Sequence, residues 1–353
     1  MLTLLPCRDD RKAADDLATL VTDPAPEPFA GTLRDMDACF SRWRDTATLP
    51  LPAPGLIITP EMRRQSEMYL PVHRVAAAFA RLYRAALTYP PILTSTCFHK
   101  ALSWVDVFAA LPRCFQRSAN PARLLANLLD DAGLLRQFIC ASFLPDRFYG
   151  GFGRYPQQRS WLKDWLAERA CRPLRCLDAA CGIGEESYGL ALLMMELGWS
   201  PEQFFIEGWT LEPLEVWASA YGRFPHDMAR EAAFRLKTEP VMNSGAATRL
   251  YFVSMDLRQP QPEAVQYDIV LCNGLLGGPV LHGKEELQQV VANLSGLLAP
   301  GGVLLAADSF HGGWSRQWPQ AELQALFRLA GLETFSVEEG LGCRRVNSVH
   351  SPV

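Results

Sequence analysis

The stretch Cys176-Leu177-Asp178-Ala179-Ala180-Cys181-Gly182-Ile183-Gly184-Glu185-Glu186-Ser187 constrains this chain more than any other part of it. An apolar run leads into two closely spaced glycines and then into residues suited to a helix start. The pattern predicts a buried strand, a tight turn and a helix N-terminus. Glycine lets a ligand approach the backbone where no Cβ intervenes. The helix start aims unpaired N–H groups at that ligand.

Two cofactor classes use such a turn: dinucleotides and S-adenosylmethionine. A dinucleotide fingerprint reads G-x-G-x-x-G, its third glycine allowing close helix–strand packing. Here Gly182 and Gly184 fit, but the third place holds Ser187. Glu185 and Glu186 stand where a pyrophosphate would lie, and carboxylates beside a diphosphate are electrostatically unfavourable. A sulfonium amino acid carries no phosphate and tolerates nearby carboxylates. The Asp-x-x-Cys-Gly-x-Gly form resembles motif I of class I S-adenosylmethionine-dependent methyltransferases. A nicotinamide oxidoreductase is the reading that Ser187 and the acidic pair disfavour.

The surrounding pattern extends this reading. The chain has 353 residues, enough for two domains. Residues 1–146 read as a mainly helical N-terminal domain, with helices predicted over Arg74–Leu87 and Pro121–Phe143. Residues 147–353 read as the cofactor-binding domain. Strands are predicted at Leu174–Leu177, Phe204–Trp209, Arg249–Val253, Tyr267–Cys272 and Val303–Ala307, alternating with helices. Leu332–Val337 and Cys343–Val349 read as a final hairpin. The expected fold is α/β: a doubly wound, mostly parallel, Rossmann-like seven-stranded methyltransferase sheet with a closing antiparallel hairpin.

Such sheets bind ligands at the carboxyl ends of their strands. After the first strand come Asp178, Ala180, Gly182, Gly184 and Glu185, expected to face the methionine part. After the second, the acid for the ribose hydroxyls is Glu212, with Glu207 as the fallback. After the third, Asp256 suits the adenine amino group and Leu257 the ring. After the fourth, Cys272-Asn273-Gly274-Leu275-Leu276-Gly277-Gly278-Pro279 is a glycine-rich loop. Asn273 and Gly274 are its candidates for cofactor contact, and Asn273 also for substrate contact.

A closer resemblance rests on four segments. Gly184-Glu185-Glu186-Ser187-Tyr188-Gly189, Glu212-Pro213-Leu214-Glu215, Asp268-Ile269-Val270-Leu271-Cys272-Asn273 and Phe152-Gly153-Arg154-Tyr155-Pro156 resemble segments of the CheR-type chemotaxis receptor methyltransferases. The likeness runs over about residues 147 to 350. It implies methyl transfer from S-adenosylmethionine to a protein glutamate, with S-adenosylhomocysteine as product. The family's Arg-Asn pair after the fourth strand is replaced by Asn273-Gly274, and the place of its tyrosine falls on Gly278. The segment between Tyr221 and Asp256 is shorter than the one that carries the family's receptor-docking β-subdomain. These departures leave two alternatives open: another acceptor, or a non-catalytic module that senses the cofactor.

A carboxylate nucleophile is ionised at neutral pH and needs no base. Arg154 is the candidate to position it bidentately, or to hold the cofactor's own carboxylate. An alcohol or amine would need a base, for which His282 and His311 are placed. Tyr149, Tyr188 and Trp314 are candidate pocket walls, or core aromatics.

The net charge of −4 gives no global signature for nucleic acid. No apolar run approaches the roughly 18 residues of a membrane helix. The N-terminus meets charge at Arg8-Asp9-Asp10, too early for a signal-peptide core. Ten cysteines are scattered through the chain; Cys171, Cys176 and Cys181, evenly spaced but forming no Cys-x-x-Cys pair, read as small buried hydrophobes, with no metal site expected and a reducing cytoplasm implied. The expected partner is a methyl acceptor, protein or small molecule.

Overall fold

The computed structural model describes residues 1–146, 150–169, 172–260, 265–278, 280–307 and 316–345. The chain divides into two compact units. One holds Asp10–Pro145 and Phe224–Glu231; the other holds Met1–Asp9, Asp146–Arg223 and Ala232–Val353. Met1–Asp9 thus group with the sheet and Phe224–Glu231 with the helices, beside the single boundary at residue 146 expected from sequence.

The helical unit carries α1 (Asp10–Leu20), α2 (Ala30–Thr46), α3 (Pro60–Tyr69), α4 (Val72–Ala86), α5 (Trp104–Ala110), α6 (Pro121–Asp130) and α7 (Ala132–Phe143). In α4 the stripe Val75, Ala78, Phe79, Leu82, Tyr83 and Ala86 is buried at helical spacing. The single helix predicted over Pro121–Phe143 is two. Asp131 ends α6, and its side chain accepts from the Leu134 N–H to start α7. An aspartate that caps the next helix competes with helix continuation.

The other unit is built on an eight-stranded sheet in the order β1-β4-β3-β2-β5-β6-β8-β7. Its strands are β1 (Thr3–Leu4), β2 (Leu174–Asp178), β3 (Phe204–Thr210), β4 (Leu250–Ser254), β5 (Tyr267–Leu271), β6 (Leu298–Ala307), β7 (Glu333–Val337) and β8 (Gly340–Arg344). β4, β3, β2, β5 and β6 run parallel, while β8 and β7 close one edge antiparallel. The eighth strand, beyond the seven expected, is β1, which pairs antiparallel with β4. Two residues of the N-terminus carry no periodicity from which to read it.

β6 starts earlier than predicted. Tyr267 faces Leu298 and Ile269 faces Val303, so Ala299–Gly302 bulges from the pairing. β8 lies at Gly340–Arg344 rather than over Cys343–Val349, and residues 346–353 fall outside the described residues.

The helices of this unit are α8 (Pro156–Ala167), α9 (Glu185–Glu196), α10 (Pro213–Tyr221), α11 (Met228–Asn243), α12 (Lys284–Leu297) and α13 (Gln320–Leu329). α11, which starts in the helical unit, occupies the Tyr221–Asp256 segment, for which no helix was predicted. All five residues of β5 are buried, as befits a central parallel strand covered on both faces. Leu177, Val270 and Leu304 share a core with Leu287, Val290 and Leu294 of α12 and Phe327 of α13. Burying each such side chain contributes about 1.5–3 kcal/mol. The strand order reverses around β2, which places the expected ligand region at its carboxyl end.

Candidate cofactor site

β2 ends at Asp178, whose side chain is buried. Its carboxylate accepts from Ser187 Oγ at 2.7 Å and from the backbone N–H groups of Ala180 and Ser187. The carboxylate thus ties the strand end to the first turn of α9. Between them, Gly184 sits at φ +82° as the N-cap of α9. A Cβ there would stand 2.7 Å from Phe252 Cε1, so packing against β4 demands glycine as much as the turn does. Ser187 occupies the place of the dinucleotide fold's third glycine. The close approach is made possible by the facing strand instead, since a Cβ on Gly208 would lie 2.9 Å from Ser187 Oγ.

Asn273, just past β5, is buried and bonded on every side. Its Nδ2 donates to Glu186 Oε2 at 2.6 Å and to Gln158 Oε1 at 2.7 Å. Its Oδ1 accepts from Gln158 Nε2 at 3.0 Å and from the Ala307 N–H at 2.7 Å. A side-chain amide has two N–H bonds and two lone pairs, and all four are engaged. Asn273 therefore joins α8, α9, β5 and β6. Gly274 follows at φ +66°, its N–H bonded to the Ala307 carbonyl at 3.1 Å.

Glu185 accepts from the Gly151 N–H at 3.0 Å. Half-buried Arg154 lies with its guanidinium 5.2 Å from the Tyr155 ring centroid, and its charge acts on Glu186.

Burial pushes the Asp178 carboxyl well above the usual carboxylate range, against the pull of the Ser187 hydroxyl and two backbone donors. Burial also raises Glu186, which the Asp178 charge raises further; Asn273 and Arg154 oppose this. Two neighbouring acids in one low-dielectric site resist ionising together. A cation relieves that resistance and an anionic diphosphate adds to it.

The ends of β3 and β4 differ. Thr210 Oγ1 bonds to Glu215 and accepts from the Glu212 N–H at 3.3 Å. Glu212 is buried and caps α10, its Oε1 accepting from the Leu214 N–H at 3.3 Å. Glu207, the fallback, is displaced from the site. It lies in mid-strand opposite Leu177 and is bonded by Arg175, Trp209 Nε1 and Tyr267 Oη. Asp256 is gripped by Arg258, with Nε and Nη2 contacts of 2.9 Å. That guanidinium holds the Asp256 carboxyl below its ordinary value. Leu257 is buried in the α12 core, and its carbonyl accepts from Asn293 Nδ2 at 2.7 Å.

No protein-family model matches the chain. A protein named "Probable biofilm formation methyltransferase WspC" from Pseudomonas putida is 29% identical over 170 residues, covering 43% of this chain and 39% of that protein. Glycine N-methyltransferase of Oryctolagus cuniculus is 23% identical over 186 residues, covering 47% of this chain and 55% of the enzyme. The chain thus spans between about two fifths and somewhat over half the length of these relatives. Among solved structures, SAM-bound CalS10, an amino pentose methyltransferase from Micromonospora echinaspora, is 19% identical over 53% of this chain and 90% of its own, with a TM-score of 0.34. The N-methyltransferase NodS from Bradyrhizobium japonicum, in complex with S-adenosylhomocysteine, is 12% identical over 60% of this chain and 97% of its own, with a TM-score of 0.35. Overlays this loose say nothing about chemistry.

Of the residues singled out from sequence, Asp178, Ala180, Gly182, Gly184, Glu185 and Asn273 gather at the ends of β2 and β5. His282 is exposed, just before α12, and joins none of the described hydrogen bonds of that network. Tyr188 is core, not pocket wall: its hydroxyl donates to the Ser219 carbonyl at 2.9 Å, and its ring packs on Phe234 and Phe252. Tyr149, His311 and Trp314 lie outside the described residues. Sequence reasoning missed Gln158 and the bonding of Ser187 and Glu215. Ser187 was legible as a hydroxyl one turn into the helix; Gln158 pairs across 115 residues and left no local signal.

Proposed function

We propose that the chain is an S-adenosylmethionine-dependent methyltransferase whose acceptor is a carboxylate, a protein glutamate being the first choice. The observation that carries the cofactor assignment is the acid pair of buried Asp178 and half-buried Glu186 behind a glycine turn at the carboxyl end of β2. It suits an ammonium or sulfonium and opposes a diphosphate. The similarity to methyltransferases over part of the chain supports the same assignment. Arg154, half-buried before α8, supports the carboxylate acceptor, since a guanidinium fork matches a carboxylate.

In this reading the glycine turn and Glu185 take the methionine part, Glu212 the ribose hydroxyls, and Asp256 with Leu257 the adenine. The bound cofactor supplies an activated methyl group. In-line displacement then depends on alignment, and holding two reactants in line removes much of the barrier. Arg154 orients the acceptor, and no general base is required. His282, exposed, is the base only if the nucleophile is not a carboxylate. The proposed setting is a reducing cytoplasm.

A second reading has an observation of its own. The amide of Asn273 is bonded on all four sides and has no free group for a substrate. That favours a module which binds the cofactor without turning it over. Radiolabelled methyl donor and a cell extract separate the readings. Base-labile protein label supports a carboxyl acceptor. Base-stable label points to another nucleophile. Binding with no label supports the sensing module.

A further inference from the structure

We propose that Gln158 is a positioning residue for the cofactor end of the site: paired with both ends of the Asn273 amide, it fixes the donor that Asn273 presents to Glu186. The proposal rests on the cofactor reading above and names a residue that reading does not use.

The geometry is specific. The Ala307 N–H faces one side of Asn273, so that side must be the carbonyl oxygen, which fixes which end of the amide meets Glu186. That single bond leaves the second lone pair of Oδ1 and the second N–H of Nδ2 to be met elsewhere. Gln158 meets both, at 3.0 and 2.7 Å. Gln158 is itself buried, and its backbone N–H is held by Glu339 Oε2 at 3.0 Å. The start of α8 is thereby anchored to the β7–β8 turn.

What Asn273 does for Glu186 follows from the groups around it. On α9 stands Glu185, and at the end of β2 stands Asp178. Tyr155 and Arg154 precede α8, Cys181 lies in the glycine turn, and Cys272 at the end of β5. Glu339 acts on Tyr155 from the hairpin. Within this set only Arg154 and the Asn273 amide favour a charged Glu186. A loosened Asn273 leaves Glu186 protonated to higher pH. A cationic ligand then binds only after a proton is lost, and its affinity near neutrality falls.

The test is calorimetric titration of the full chain with S-adenosylmethionine and S-adenosylhomocysteine, between about pH 6 and 9, on wild type, Gln158→Met and Gln158→Glu. Gln158→Met keeps the shape and removes both bonds. It is expected to bind S-adenosylmethionine about three- to tenfold more weakly at pH 7, with the pH profile of affinity moved upward by about half to one unit. Gln158→Glu keeps the acceptor for Nδ2 but sets a carboxylate against Oδ1 and the acids, so its shift is expected to be larger. It also serves where Gln158→Met fails to melt cooperatively. Affinity that is unchanged, or lowered equally at every pH, overturns the proposal. Wild type that binds neither compound removes the cofactor reading itself, an outcome distinct from a variant that binds like wild type.

Discussion

At the ends of β2 and β5 the polar side chains are enclosed and bonded to one another; at the end of β4, Asp256 is partly exposed and held by an arginine two residues away. Asp178 is bonded to Ser187, and Glu186 to Asn273 and through it to Gln158; the two sets meet where Glu186 and Ser187 adjoin on α9 and where the Asp178 charge acts on Glu186. Asp256 and Arg258 form a partly exposed pair, and Arg258 also reaches Glu286 at 3.6 Å. The contrast teaches where a substitution will be felt. In the enclosed network, removing one partner strands another, and an unmet buried group costs about 1–3 kcal/mol. At the surface, water replaces a lost partner, and such a pair contributes about 0–1 kcal/mol.

The largest effect is expected from Gly184→Val. The new side chain meets Phe252 and must also adopt φ +82°. Strain and overpacking together should cost about 3 kcal/mol or more, with loss of S-adenosylhomocysteine binding. Thermal melts and titration check both; a variant as stable as wild type would show that this turn rearranges freely.

Asp178→Asn comes next, at about 1–3 kcal/mol, because the amide nitrogen opposes one of the donors that the carboxylate now accepts. pH gives a second view of the same network. Asp178 and Glu186 keep protons in the folded chain at pH values where the unfolded chain has lost them. The unfolded state then binds fewer protons, so the stability of the unliganded chain should fall as pH rises above the ordinary carboxylate range. Glu186→Gln should flatten that decline. Urea midpoints at several pH values measure it, and a slope identical to wild type would place Glu186 outside the buried pair.

Glu212→Ala removes the α10 cap and should cost about 1 kcal/mol, alongside weaker cofactor binding. The smallest effect belongs to Arg258→Ala, under about 1 kcal/mol. It also removes the guanidinium that grips the Asp256 carboxylate, so cofactor affinity should hold or rise. A large loss of stability there would erase the distinction between the two ends.

The same physical distinction governs what could be read from sequence. The glycine turn and the buried strands are local patterns of a few residues, and they were legible. β1 was not, because two residues define no period and its pairing with β4 is non-local. The break at Asp131 was hidden inside a continuous apolar stripe. At the site, Asp178 and Asn273 stood out by position after their strands. What they bond to did not, since Asn273 meets Glu186 and Gln158 across 87 and 115 residues. Asn273 therefore read as a free contact residue, whereas the fold makes it a junction.

The most direct measurement on the central claim is calorimetric titration of the purified chain with S-adenosylhomocysteine, with NAD titrated in parallel. The acid pair behind the glycine turn predicts saturable binding of S-adenosylhomocysteine and none of NAD. Binding of NAD in preference would contradict the account, because it would require a diphosphate to settle beside Glu185 and Glu186.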